Sequence, residues 1–105
     1  MELTTHLDGG LISLEGDLTA AAEEVLASAF ELARAHNPVV LDFSNLGYMN
    51  STGIGLLVTT LIRAQRHGVR LVACGLDSHY REIFSLTRLD EAIPVYEDAS
   101  QALDA

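Results

Sequence analysis

Two adjacent hydroxyl residues, Ser51 and Thr52, occupy the point where an apolar strand passes through a turn into a glycine-containing helix start. The stretch reads Leu41-Asp42-Phe43-Ser44-Asn45-Leu46-Gly47-Tyr48-Met49-Asn50-Ser51-Thr52-Gly53-Ile54-Gly55. The first N–H groups of a helix have no partner within the helix, and the helix dipole makes that end positive. The sequence therefore places a hydroxyl where an added phosphate would be electrostatically favoured.

A simpler interpretation is that Asn50 or Ser51 only caps the helix, which stabilises it by about 1 kcal/mol. One cap would suffice, however, and two hydroxyls are adjacent. Gly53 and Gly55 each cost up to about 1 kcal/mol relative to alanine in a first turn. Such a weak helix start predicts that another backbone approaches closely. If Tyr48 and Met49 are exposed, they extend this contact region as an adaptable apolar patch. The predicted partner-binding residues are Tyr48, Met49, Asn50, Ser51, Thr52, Gly53 and Gly55.

Known catalytic and cofactor motifs do not fit the chain. Gly53-Ile54-Gly55 begins a dinucleotide-type pattern, but Val58 occupies the position of the third glycine. A P-loop needs a glycine-lysine-hydroxyl sequence, which is absent, and a nucleophile elbow needs glycine where Met49 stands. No base and no pair of catalytic carboxylates can be assigned around Ser51. The sequence therefore predicts a protein that is not an enzyme and uses no cofactor.

The histidines and the single cysteine also favour structural roles. The histidines fall on different predicted elements without the spacing of metal ligands, so no metal site is predicted. Cys74 lies in an apolar run, which is typical of a buried thiol. The four histidines are His6, His36, His67 and His79.

Composition predicts one globular domain, residues 1–105, because 49% of the residues are hydrophobic and no linker interrupts the chain. The net charge of −9 argues against nucleic acid or an anionic membrane surface as a partner. The N-terminal residues do not resemble a signal peptide, and no apolar run approaches the roughly 20 residues of a membrane span. We therefore expect a cytoplasmic protein.

The hydrophobic pattern gives the elements that position the junction. Residues 3–7 and 11–15 read as antiparallel strands, because Asp8-Gly9-Gly10 suits a tight hairpin turn. Helical spacing then predicts a first helix from Thr19, which Asn37-Pro38 ends. Its inward residues are predicted to be Ala22, Val25, Leu26, Ala29, Phe30 and Ala33.

A short apolar strand, residues 39–43, precedes the second helix, which begins around Ser51 and ends at Gly68. A strand over residues 69–74 and a third helix from Asp77 or Ser78 to about Leu86 follow, and then a short strand, 94–96, and a short helix, 98–103. This alternation predicts an α/β fold with a mixed, largely parallel sheet of about five strands and about four flanking helices. The predicted inward residues are Ile54, Leu57, Val58, Leu61 and Ile62 in the second helix and Tyr80, Ile83, Phe84 and Leu86 in the third.

The chain resembles the STAS domain family, and within it the small single-domain anti-sigma factor antagonists. The resemblance covers nearly the whole chain, and it implies a small mixed sheet flanked by helices, in agreement with the predicted elements. It rests on Leu41-Asp42-Phe43, on Tyr48-Met49-Asn50-Ser51-Thr52-Gly53-Ile54-Gly55-Leu56-Leu57, and on Gly75-Leu76 with Ile83-Phe84-Ser85-Leu86-Thr87-Arg88-Leu89-Asp90.

The resemblance implies a phosphorylation switch at Ser51. In the family's antagonists, an anti-sigma factor that is also an ATP-dependent serine kinase phosphorylates the matching serine, and a PP2C-type phosphatase reverses the reaction. Unmodified protein would bind the anti-sigma factor and free the sigma factor, and phosphorylated protein would release the anti-sigma factor. These antagonists commonly have aspartate where this chain has Asn50, which caps a helix equally well but lacks the charge. Thr52 ranks below Ser51 as an acceptor, because the match assigns the first hydroxyl.

Two alternatives stay open within the family. A STAS subunit that is not phosphorylated would use the same helix surface to dock on a transporter ATPase or a larger sensory complex. The family also includes domains reported to bind nucleotides, although no lysine lies near the Ser51 junction to favour phosphate binding.

Overall fold

The computed structural model describes all 105 residues and contains one five-stranded sheet in the order β1-β2-β3-β4-β5. β1 and β2 pair antiparallel, and every other neighbouring pair is parallel. This confirms the predicted α/β fold with its mixed, largely parallel sheet. The strands are β1 Thr4–Asp8, β2 Leu11–Leu18, β3 Val39–Met49, β4 Leu71–Cys74 and β5 Val95–Tyr96. The helices are α1 Glu23–Ala33, preceded by a 3₁₀ turn at Ala20–Ala22, then α2 Ser51–Arg66, α3 Ser78–Leu86, α4 Leu89–Ala92 and α5 Ala99–Leu103.

The main core lies on one face of the sheet, where α1, α2 and α3 cover the central strands. Phe43 of β3 and Phe84 of α3 meet there edge to face, with ring centroids 5.7 Å apart. On the opposite face, α5 alone packs against the sheet and covers Val40, Val72 and Cys74 with Ala102. None of the helices has the length and hydrophobicity that a membrane span requires.

β3 is longer than predicted. The sequence suggested a strand over residues 39–43 followed by a turn, but β3 continues to Met49. The register against β2 shifts twice, between Ser13 and Glu15 and between Gly16 and Asp17, so β3 carries extra residues. These bulges disrupt the alternation of buried and exposed side chains that marks a strand, which is why the pattern resembled a turn. The longer strand delivers the chain directly to α2.

α4 was not predicted, so the helices number five rather than four. It has only four residues, and it starts after Arg88, which adopts a left-handed conformation with φ of 62°. A non-glycine residue in that region gives no sequence signal for a turn. Leu89 and Ile93, at the two ends of α4, are nevertheless buried in the main core.

Four predicted inward side chains are in fact exposed. Val25, Val58 and Ile62 are about two-fifths exposed, and Leu86 at the end of α3 is 77% exposed. In α2 the buried residues are Gly53, Leu56, Leu57, Thr60 and Ala64. Leu56 and Leu57 pack in the main core, and Gly53 lies against the end of β2. The Thr60 hydroxyl is satisfied by donating to the carbonyl of Leu56 at 2.8 Å. The apolar residues Val58 and Ile62 are therefore turned outward.

Candidate docking and modification site

Asn50, and not Ser51, caps α2. Its side-chain oxygen accepts a hydrogen bond from the Gly53 N–H at 2.9 Å, and its carbonyl accepts from the Ile54 N–H at 3.0 Å. Ser51 is the first residue of the helix, and both Ser51 and Thr52 are exposed. Neither hydroxyl makes a hydrogen bond within the chain, and their N–H groups precede the first intrahelical bond. Ser51 therefore has no capping role that a modification would destroy.

The N-terminus of α2 is the least negative helix start in the molecule. It has no acidic residue in its first turn, and its cap is the neutral Asn50. Each of the other four helices begins with carboxylates in the cap or the first turn, which partly neutralise the positive end of the dipole. Only α2 leaves that positive potential uncompensated. The carboxylates at the other helix starts are Glu23 and Glu24 for α1, Asp77 for α3, Asp90 and Glu91 for α4, and Asp98 for α5.

The two glycines of the first turns have different surroundings. A methyl group on Gly53 would overlap the carbonyl oxygen of Leu18 and lie 3.1 Å from the Met49 Cγ atom. The close backbone approach that the sequence predicted is therefore made at Gly53 by the end of β2 within the same chain. Gly55 has no heavy atom within 4 Å of such a methyl group and faces open space. Of the two, only Gly55 offers its backbone to another molecule.

The predicted apolar patch before the helix is only half present. Tyr48 is 53% exposed, in agreement with the expectation, but Met49 is buried with 7% exposure. Met49 pairs with Leu18 across β2 and β3 and packs in the main core. The Met49 side chain is therefore not part of the exposed surface, and Gly53 is buried as well. Asn50 is half-buried because its side chain folds over the helix start.

The exposed side of α2 forms a surface that sequence analysis missed. Residues spaced by three or four positions along a helix lie on one face. Val58 and Ile62 share such a face with Ser51, opposite the buried face of the helix. The signal that could have found this surface is the series of small or hydroxyl residues Ser51, Gly55 and Thr59, which are four residues apart. We call this surface the α2 outer face, and it comprises Ser51, Gly55, Val58, Thr59 and Ile62.

Cys74 lies away from this surface and is fully buried, as predicted. Burial raises the pKa of its thiol to about 12, with smaller contributions from the nearby carboxylates of Asp42 and Asp98. The thiol is therefore protonated at neutral pH. The four histidines are all exposed, and only His67 approaches a charged side chain, with its Nδ1 atom 3.4 Å from Arg34.

Comparison with known proteins identifies the family. The model of the family described as "Mlab, STAS domain" matches residues 1–96. The chain belongs to the STAS domain family. The match spans all five strands and both Ser51 and the α2 outer face, and only α5 lies beyond it.

Relatives of this STAS domain align with most of its length. The protein BtrV of Bordetella bronchiseptica is 30% identical over 109 aligned positions, which cover 100% of this chain and 94% of BtrV. The anti-sigma-B factor antagonist of Listeria monocytogenes is 28% identical, over 88% of this chain and 80% of the relative. A crystal structure of a Thermotoga maritima protein superposes with a TM-score of 0.77 at 17% identity, over 97% of this chain and 92% of the other. The structural likeness confirms the fold.

Proposed function

We propose that this STAS domain is an anti-sigma factor antagonist whose binding is switched by phosphorylation of Ser51. In its unmodified form, the α2 outer face binds an anti-sigma factor that is also a serine kinase, and the sigma factor is freed. The phosphorylated form dissociates from the anti-sigma factor, and a PP2C-type phosphatase restores binding. The domain acts by binding and catalyses no reaction itself. The name of the Listeria relative supports the antagonist role. The observation that carries the switch is the exposed, unbonded Ser51 hydroxyl at the carboxylate-free start of α2.

The fold would tolerate the phosphate. The cap bond from the Gly53 N–H to Asn50 does not involve Ser51, so it persists after modification. The added charge of about −1.5 to −2 would lie at the positive end of a 16-residue helix, close to the free N–H groups of Ser51 and Thr52. Asn50 contributes here as well, because an aspartate cap would repel the phosphate. We therefore expect similar stability of the two forms.

The partner's affinity would change instead. Ser51 lies on the same face as Val58 and Ile62, so a partner that covers these aliphatic side chains also covers the serine. A phosphate in such an interface must be desolvated, and it repels any carboxylate of the partner that faces it. A loss of only about 3 kcal/mol lowers affinity by roughly two orders of magnitude. Gly55, with open space above its backbone, lets the partner approach closely beside the serine.

The modification can be tested with the anti-sigma factor kinase of the source bacterium and ATP. We expect one added phosphate, which mass mapping locates at Ser51. Ser51→Ala should abolish the modification, whereas Thr52→Val, a matched change at the neighbouring exposed hydroxyl, should leave it intact. Phosphate at Thr52 alone, or no incorporation by a kinase that binds the protein, would contradict the assignment.

A second test addresses the surface. Val58→Asp places a charge in the middle of the α2 outer face and should weaken anti-sigma factor binding without unfolding the protein, because the side chain is already partly exposed. Leu86→Asp, at an exposed leucine on α3, is the control and should bind normally. If binding depends on Val58 but Ser51→Asp and Ser51→Ala bind with equal affinity, the surface is a constitutive interface, as in a STAS subunit docked on a transporter ATPase.

A further inference from the structure

The sheet has two edges that differ in their protection. β5, at one edge, has only two residues and follows Pro94, so it offers little backbone for pairing. β1, at the other edge, has five residues and pairs only with β2. Its sequence, Thr4-Thr5-His6-Leu7-Asp8, contains no proline, lysine or arginine, the residues that usually block an open edge. The outer N–H and C=O groups of β1 are therefore available to another strand.

An apolar groove runs beside this open edge, between β1 and α1. It has a volume of about 380 Å³ and is lined by Thr5 and Leu7 from the strand and by Val25, Ser28, Ala29 and Leu32 from the helix, with Glu24 at one end. Leu32 is 69% exposed, and Leu7 and Val25 are about two-fifths exposed. We call this surface the β1 groove. None of its residues belongs to α2 or to the Ser51 junction.

The dimensions of the β1 groove fit an added strand. Val25 and Leu32 are seven residues apart, which is about 10 Å along a helix. Alternate side chains of a strand are roughly 6.7 Å apart, so two of them fit between these helix residues. A strand that pairs with β1 would direct every second side chain into the groove, on the side where Thr5 and Leu7 point.

Charge indicates the chemistry of the occupant. Residues 1–33, which form β1, β2 and α1, contain no lysine or arginine but seven carboxylates. Only two of the seven form an ion pair, Asp17 with the terminal amine and Glu31 with Arg34. A second copy of this chain would bring the same negative surface against itself, and like charges at close range oppose pairing. A cationic segment is complementary to it. The seven carboxylates are Glu2, Asp8, Glu15, Asp17, Glu23, Glu24 and Glu31.

We infer that the β1 groove binds an extended, basic segment of a partner protein by strand addition to β1. The segment alternates aliphatic side chains, which enter the groove against Leu7, Val25 and Leu32, with lysine or arginine. Its backbone pairs with the open edge of β1, and its basic side chains project to the opposite face of the sheet, where Asp8 and Glu15 lie. This binding does not depend on the Ser51 switch, so the domain would hold two partner segments at separate surfaces.

The test uses a fluorescent seven-residue peptide, blocked at both ends, that alternates lysine with valine or leucine. A peptide of the same composition with its aliphatic residues contiguous controls for charge. A third peptide carries N-methyl groups on the amides of one edge, which blocks strand pairing while keeping the side chains. We expect the alternating peptide to bind at least about tenfold more tightly than either control, with NMR shift changes confined to β1 and the flank of α1.

Substitutions in the protein test which residues bind the peptide. Leu32→Asp should weaken binding of the peptide by about tenfold or more, and Asp8→Asn should weaken it by a smaller factor that shrinks at high salt. Leu86→Asp, a matched change at another exposed leucine, and Ser51→Asp should leave the affinity unchanged. Equal binding of the N-methylated peptide, equal binding by Leu32→Asp, or shift changes centred on α2 would overturn the inference. If the protein forms concentration-dependent dimers that Leu32→Asp dissociates, a second copy of the chain occupies the groove instead.

Discussion

Alanine substitutions of Gly53 and Gly55 should have opposite effects on stability, although the two glycines are only two residues apart in α2. The same methyl group is added to the same helix in both cases. At Gly55 the methyl would extend into open space, whereas at Gly53 it would overlap the Leu18 carbonyl oxygen. The difference between the two variants therefore isolates the contact between α2 and the end of β2.

The magnitudes follow from the surroundings. Gly55→Ala gains helix propensity without a clash, so the free energy of unfolding should rise by about 0.5–1 kcal/mol. Gly53→Ala gains at most the same amount, but the helix start must move away from a backbone oxygen that also accepts a bond from the Asn50 N–H at 3.3 Å. Overpacking against such a rigid neighbour costs about 3 kcal/mol, at the upper end of the usual range, which leaves a net loss of about 2 kcal/mol.

Urea and thermal unfolding followed by circular dichroism measure both changes. For a chain of this size, about 1 kcal/mol shifts Tm by roughly 4 °C, so we expect a rise of about 2–4 °C for Gly55→Ala and a fall of about 8 °C for Gly53→Ala. Gly55→Ala should at the same time weaken anti-sigma factor binding, because its methyl group protrudes from the α2 outer face beside Ser51. If Gly53→Ala is as stable as the unmodified protein, or if Gly55→Ala is less stable, the contact of Gly53 with β2 does not limit the helix start as described.

The helix cap at Asn50 and the buried thiol of Cys74 can be tested in the same way. Asn50→Ala removes the acceptor for the Gly53 N–H and should lower the free energy of unfolding by about 1 kcal/mol in urea unfolding, whereas Asn50→Asp keeps the cap. In Asn50→Asp, phosphorylation of Ser51 should lower Tm, because the new carboxylate faces the phosphate, while in the unmodified sequence it should not. Equal Tm changes would show that the neutral cap is irrelevant to the phosphate. Cys74 should resist alkylation at pH 8 in the native protein and react rapidly in urea, and fast native labelling would contradict its burial. Because folding raises the pKa of Cys74 from 9.0 to about 12, the unfolded chain loses this proton first, so stability should fall as pH rises from 9 towards 12.

Much of the fold was predictable because local signals agreed with the tertiary structure. One interpretation dominates for the Gly9-Gly10 turn, for the helical spacing of α1 and for the apolar run of β4. The bulged half of β3 had no such clear signal, because its buried and exposed residues lose the two-residue period wherever an extra residue is inserted. The left-handed Arg88 before α4 likewise has no counterpart in residue type.

The candidate site was predictable in position but not in shape. Ser51 was placed at the helix start by the strand, the cap residues and the glycines, and the structure agrees. The inward side of α2 was assigned from the largest apolar residues, and Leu57 is indeed buried, but the buried face turns towards Gly53, which lies against the Leu18 carbonyl oxygen. Val58 and Ile62 were therefore assigned to the core when they form the α2 outer face. Periodicity shows that a helix has an apolar stripe, and packing distance decides which stripe is buried.

Phosphate on Ser51 should control binding of the anti-sigma factor and leave the fold intact. The direct measurement compares the affinity of the anti-sigma factor for unmodified protein and for protein carrying phosphoserine at position 51, by calorimetry, together with the Tm of each form. We predict that the phosphorylated form binds about 100-fold more weakly, or more weakly still, while its Tm differs by no more than about 2 °C. Equal affinities of the two forms, or a loss of binding that accompanies unfolding, would contradict a switch at Ser51.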